Sequence, residues 1–318
     1  DPDIVWEVKN NKASITYLDN NYDYEISEKP IESLKNLIGN SKFDKGEIEV
    51  PYPILVGYLG YPMIQYMEEI DLRNTDNINI PDSVLIRPKI VTVFDNIKDS
   101  ITVMTVVYPY KDKDVENAYE NAQEILKIKV NQLKESLVQT KKNQIQSDLN
   151  FVSNYSKEEY FSIISQAKEY IKKGDIFQVV TSQRFETNYD LEAISLYRSL
   201  RRLNPSPYLV NLNFDNFGLV ASSPELLVQL RKGKVTIRPI AGTRKRGKNA
   251  NEDFELSKDL LEDQKELAEH LMLLDLGRND VGRVAKNKSV KVTEKMIIEY
   301  YSHVMHIVSN VEGVIDEK

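Results

Sequence analysis

Apolar residues follow two rhythms along this chain, and the change between them divides it. Up to about residue 110, short runs rich in β-branched residues at 13–18, 54–59, 89–94 and 101–107 alternate with Asn, Asp and Gly turns, which predicts a mostly stranded first part. Between 114 and 141 the pattern becomes helical: Ala118, Ala122, Ile125, Leu126 and Leu133 recur among Glu, Lys and Gln as one long, exposed helix. The polar stretch 142–153 reads as a linker. Ser156, followed three residues on by Glu159, is a helix-capping pair that opens a second unit. The expected domains are 1–153 and 154–318.

In the second unit the pattern predicts a helix at 158–173, a strand at 176–185 and a helix at 191–203. A turn at Asn204 to Pro207 follows, then strands at 208–214, 217–222, 226–230 and 234–240, a single helix at 252–276 and a closing helix at 302–311. Strands and helices segregated in this way argue an α+β fold rather than a doubly wound parallel sheet.

Composition narrows the chemistry. The chain has 318 residues, 41% hydrophobic and 29% charged, with a net charge of −7, which favours solubility and gives no broad attraction for nucleic acid. With Cys 0, disulfides, thiolate catalysis and cysteine-bound zinc are all excluded, as suits a reducing compartment, and the cytoplasm is the expected location. No apolar run approaches the roughly 18–20 residues that span a bilayer, and no signal-like opening is present, so neither insertion nor export is expected.

Four features carry candidate chemistry. The run from Gly242 to Asn249 nearly matches a phosphate-binding loop after a strand, but Asn249 stands where a Ser or Thr must hold Mg²⁺. Its basic residues Arg244, Lys245, Arg246 and Lys248 read either as a solvated loop or as an attractor of anions. Thr243, a hydroxyl beside Gly242, is placed for close approach to a ligand. Glu266 and Glu269, three apart on a helix, share a face and offer hard oxygens suited to Mg²⁺, though such a pair alone is ordinarily a solvated face. The apolar residues 271–274 and the charged run 275–280 predict that this helix end is buried with its charges paired. His306, among apolar neighbours, is either a core imidazole or an acid/base, and Glu225 follows a strand where apolar walls would raise its pKa.

Taken in order, the stretches Gly174 to Val180, Asn204 to Tyr208, Ser223 to Glu225, Pro239 to Arg244, Glu266 to Asp280 and Tyr301 to His306 resemble the chorismate-utilising enzymes, and within them the anthranilate synthase branch. The resemblance covers nearly the whole chain, most strongly from about Ser156 onward. It implies the fold of that family, two packed β-sheets flanked by helices, incomplete here at the C-terminus. It also implies addition of ammonia to chorismate with loss of the 4-hydroxyl, then elimination of pyruvate to give anthranilate. Glu269 matches the family's Mg²⁺ ligand with Glu266 in support, and Gly242 and Thr243 match its substrate contacts. Glu225 matches the acid that protonates the leaving hydroxyl, and His306 the imidazole of the elimination step.

Two positions separate branches of the family. Water-adding members carry a lysine base where Gln178 stands, and many para-aminating members carry a nucleophilic lysine where Ala241 stands. The first component of aminodeoxychorismate synthase is the nearest rival, and a non-catalytic scaffold that senses tryptophan or holds a partner is the alternative of another class. The resemblance implies a glutamine amidotransferase subunit as ammonia source. It implies tryptophan as feedback inhibitor at Pro207, Tyr208 and Leu209, although Val210 and Asn211 depart from the usual continuation. Family elements expected before Asp1 and after Lys318 are missing, so the chain reads as a fragment that does not turn over chorismate by itself.

Overall fold

The computed structural model describes residues 2–18, 22–44, 46, 49–50, 52–72, 76–107, 114–136 and 149–316, with backbone alone for 22–25. The chain forms two units, 1–141 and 142–318. The first holds β1 (Pro2–Lys9), β2 (Lys12–Tyr17), β3 (Tyr22–Ser27), α1 (Pro30–Asn40), β4 (Val56–Leu59), β5 (Ser83–Pro88), β6 (Ile90–Asp95), β7 (Ser100–Thr105) and α2 (Val115–Lys134). Five of the strands make an antiparallel sheet in the order β3-β2-β1-β5-β4. Alternation along β1 sends Ile4, Trp6 and Val8 inward, where they pack with Ala13, Ile15, Leu37 of α1 and Met63. The Trp6 indole satisfies its N–H on Ser33, and the buried Arg87 guanidinium grips the Asp3 carboxylate through two hydrogen bonds of 2.8 and 2.6 Å. A cavity of about 630 Å³ between α1 and this sheet is lined by none of the predicted site residues.

The second unit contains β8 (Val152–Ser153), α3 (Lys157–Lys173), β9 (Phe185–Glu186), α4 (Ala193–Leu203), β10 (Tyr208–Asn213), β11 (Gly218–Ser223), β12 (Gln229–Arg231), β13 (Lys234–Ile237), β14 (Ile240–Lys245), α5 (Ala250–Glu262), α6 (Gln264–Val284), β15 (Lys291–Tyr300) and β16 (Val304–Val314). α3 begins with the expected capping box between Ser156 and Glu159 and stops at Gly174, whose left-handed φ of 79° closes the last turn. β10 and β11 form a hairpin. The main sheet is built around β16, which pairs with β13 and β14 end to end along one side and with β15 along the other. Proline sets the gap between β13 and β14, because Pro239 has no N–H to give a ladder, and its carbonyl accepts from Ser309 instead. Met305, Ile307, Ser309 and Val311 face one side, where α5 and α6 pack; Val304, His306 and Val308 face the other.

The architecture is α+β, with several local departures from the expected elements. The expected closing helix 302–311 is a bend followed by strand from Val304, since β16 lies between paired neighbours and its apolar run is buried on both faces. The expected helix 252–276 is two helices, broken at Asp263, whose carboxylate accepts from the N–H groups of Lys265 and Glu266 and starts α6 afresh. The expected strand 176–185 shrinks to β9: Phe177 and Val180 stand 89% and 85% exposed, and the backbone before Phe185 joins no strand. Charged residues near the end of α6 are exposed rather than buried, with Asp275 and Arg278 in a surface pair, because only Leu274, Gly277 and Val281 turn inward. Helix α1 and strand β15 arise where neither was expected. Among the described residues, no helix is long and apolar enough to cross a membrane.

Candidate active site

Gly242 sits at a bulge, where β14 slips its register against β16 between Ala241 and Thr243. Its φ of 78° is left-handed, which favours glycine, and a Cβ there would crowd Ile307 Cδ1 at 3.0 Å. The bulge sets Thr243 directly opposite His306 on β16. His306 Nδ1 lies 3.1 Å from Thr243 Oγ1 and 3.1 Å from the Gly242 carbonyl oxygen. A carbonyl can only accept, so the neutral ring carries its proton on Nδ1 and keeps the lone pair on Nε2. Tyr301 packs edge-on against the same ring, with centroids 5.5 Å apart.

Glu225 follows β11, its N–H held by Ser223 Oγ at 3.2 Å. Although the residue is exposed as a whole, partial burial of its carboxyl pushes the pKa above the ordinary glutamate value, and His306 in its protonated form opposes that shift. Tyr301 also senses this carboxyl; burial, followed by its bond to Glu299, raises the phenol to about 12. A cleft of about 430 Å³ opens beside Glu225, walled by Leu227, Arg238, Leu273, Leu276 and Asp280, a volume that suits a small-molecule ligand.

The two helical glutamates form a separate group. Glu266 and Glu269 lie near the start of α6, half-buried, and Gln178 Nε2 donates to Glu269 Oε1 at 3.0 Å. The second Glu269 oxygen and both of Glu266 make no hydrogen bond or ion pair among the described residues, which leaves hard oxygen donors available to a cation such as Mg²⁺. No cluster of three potential metal-ligating side chains occurs among the described residues. Hydrogen bonds thus join Gly242, Thr243 and His306, Glu225 interacts with His306 through charge alone, and no hydrogen bond among the described residues joins Glu266 or Glu269 to that set. Pro207 precedes β10 and Tyr208 and Leu209 open it, while in the turn before them Ser206 Oγ donates to the Ser223 carbonyl and ties the turn to β11.

The two arginines of the basic loop are paired from within. Arg244 bonds Asp259 and Asp263, Arg246 bonds Asp253, and the guanidinium pKa values rise accordingly. Gly247 N–H, which a phosphate-binding loop would aim at an anion, donates to Asp253 at 2.7 Å, and Asn249 caps α5. This rules out the phosphate-loop reading. His270 lies within the Glu266 to Asp280 motif but is given no role by it: wholly buried on α6, it bonds Ser309 at 2.7 Å, and burial holds its pKa down. Its place on the face shared with Glu266, Leu274 and Gly277 was the available signal.

A family model described as chorismate binding enzyme matches residues 2–318. Anthranilate synthase component 1 of Cereibacter sphaeroides is 44% identical over 99% of this chain and 64% of that protein; the protein of the same name from Aquifex aeolicus is 46% identical over 83% and 53%. The chain therefore spans under two thirds of the length of these relatives. A crystal structure of anthranilate synthase component I from Streptococcus pneumoniae superposes with a TM-score of 0.84, at 31% identity, covering 100% of this chain and 68% of that one. A family match along almost every residue, joined to a shared fold with a solved relative, makes this chain a member of the chorismate-binding enzymes.

Proposed function

We propose that this chain carries the chorismate-handling chemistry of an anthranilate synthase, in which ammonia adds to the ring, the 4-hydroxyl departs, and pyruvate is eliminated to leave anthranilate. The observation that carries this reading is the contact of His306 with Thr243 and Gly242 at 3.1 Å, within reach of the charge on Glu225. A carboxyl with a raised pKa stays protonated to higher pH and can hand its proton to the departing hydroxyl. His306, held through Nδ1, offers Nε2 as the base that takes the ring proton as pyruvate leaves. Thr243 is free to turn its hydroxyl proton toward a substrate oxygen. Glu269 and Glu266 would hold Mg²⁺, which when bound offsets the substrate's carboxylate charge.

Ammonia as the nucleophile is supported by Gln178, whose amide cannot act as a base toward water, and by the buried Ala241, which offers no side-chain nucleophile to the ring. The ammonia source would be a glutamine amidotransferase subunit, and tryptophan would inhibit through Pro207, Tyr208 and Leu209; both follow from family likeness. A cytoplasmic location suits a chain without cysteine. Product analysis tests the reading: the full-length gene product containing this chain, given chorismate, Mg²⁺ and ammonium, should release fluorescent anthranilate. A para-aminated product, or none, would contradict it.

A further inference from the structure

The proposed site draws its side chains from two elements, the sheet around β16 and the helix α6 packed on it. His306 and Thr243 face away from α5 and α6, while Glu266 and Glu269 ride on α6 itself. A buried polar link connects them. His270, the residue after Glu269, is 0% exposed, and its Nε2 lies 2.7 Å from Oγ of Ser309, also 0% exposed and three residues beyond His306. The same Oγ accepts the N–H of Met296 at 2.9 Å, and the Ser309 N–H donates to the Pro239 carbonyl at 3.1 Å.

Both neighbours of β16 are irregular at this level. β15 bulges between Glu294 and Ile297, with Met296 at a left-handed φ of 52°, and β14 bulges at Gly242. Ser309 therefore ties three features together: the bulge of β15, the break before β14, and α6. His270 Nε2 and the Ser309 hydroxyl share one hydrogen bond, and His270 Nδ1 is sealed from solvent. With Met296 N–H donating to the same hydroxyl, a continuous polar chain runs from β15 through β16 to α6.

We propose that His270 and Ser309 are positioning residues, a buried clamp that fixes Glu266 and Glu269 relative to Gly242, Thr243 and His306. The proposal rests on the function above for what is being positioned, and its test has one readout that does not. Four variants are compared with the parent: Ser309→Ala, His270→Leu, His270→Gln, whose amide ends near the position of Nε2, and Val281→Ala, a buried change farther along α6 that lowers stability alone. Binding of Mn²⁺, used as the probe cation with chorismate present, is followed by electron paramagnetic resonance, and the His306 ring nitrogens by NMR.

Ser309→Ala and His270→Leu should weaken Mn²⁺ binding about tenfold and shift the His306 nitrogen resonances, as loss of a residue that orients metal ligands does. His270→Gln should recover most of both, and Val281→Ala should move neither. If Ser309→Ala matches Val281→Ala in both readouts, the clamp is overturned. Absence of Mn²⁺ binding by the parent would sink the proposed function, while the His306 resonances would still decide the clamp. Should His270→Leu fail to fold, Ser309→Ala, which removes a single oxygen atom, decides the question by the same two readouts.

Discussion

Glu225 shows how the fold biases a single group. Its carboxyl pKa is raised, by burial first, with protonated His306 acting in the opposite direction. A folded-state pKa above the unfolded value means that the protonated carboxyl contributes stability that is fully present below the unfolded pKa and lost as pH rises through the folded one. Glu225→Gln never ionises. Its melting temperature should exceed that of the parent by a degree or two at pH about 8, and the gap should close at pH about 4, where the parent carboxyl regains its proton. An equal gap at both pH values would refute a raised pKa. Gly242 makes the complementary point, for its motif suggested close approach to a ligand, whereas the structure adds a left-handed bulge that sets Thr243 against His306. The contacts of Gln178 with Glu269 and of His270 with Ser309 join residues 91 and 39 positions apart, and no local pattern encodes such pairs.

At the level of elements, Asp263 does the most with one side chain. Its Oδ1 caps α6, and its Oδ2 accepts from Arg244 in β14 at 2.8 Å, so the break between α5 and α6 also anchors the strand that carries Gly242. The carboxylate pKa is lowered, by Arg244 first, so its contribution is present above the unfolded pKa and lost as pH falls through the folded one. Asp263→Ala should lower the melting temperature near neutral pH by about 2–4 °C, a difference that shrinks in acid. An unchanged melting curve would contradict the cap. The capping spacing from Asp263 to Glu266 was there to be read, but Leu260, Leu261 and Leu267 keep a helical rhythm across the break and hide it. The strand character of β16 is hidden for a related reason. Buried on both faces, it shows neither alternation nor a helical period, and a short apolar run does not distinguish strand from helix. Two bulges shift the alternation of β15 and conceal it, although α1 has a readable start in Pro30 followed by Ile31, Leu34 and Leu37.

For the molecule as a whole, the order of strands and helices sufficed for an α+β class, and six motifs in order, from Gly174 to His306, carried the resemblance to the chorismate-utilising enzymes that the family match bears out. Geometry at the site was less accessible: the motifs named Glu225, Thr243, Glu269 and His306, but only the folded chain shows Thr243 paired with His306 across two strands and Glu269 held by Gln178 on α6. The central claim is that both groups serve one substrate. Calorimetric titration of chorismate into the full-length gene product, with and without Mg²⁺, tests it most directly when the parent is compared with Glu269→Gln and Thr243→Val. Chorismate should bind the parent only with Mg²⁺ present, and either substitution should weaken that binding at least tenfold, an expectation of about 1.4 kcal/mol or more. Binding that is indifferent to Mg²⁺, or that survives Glu269→Gln at full strength, would contradict a shared site.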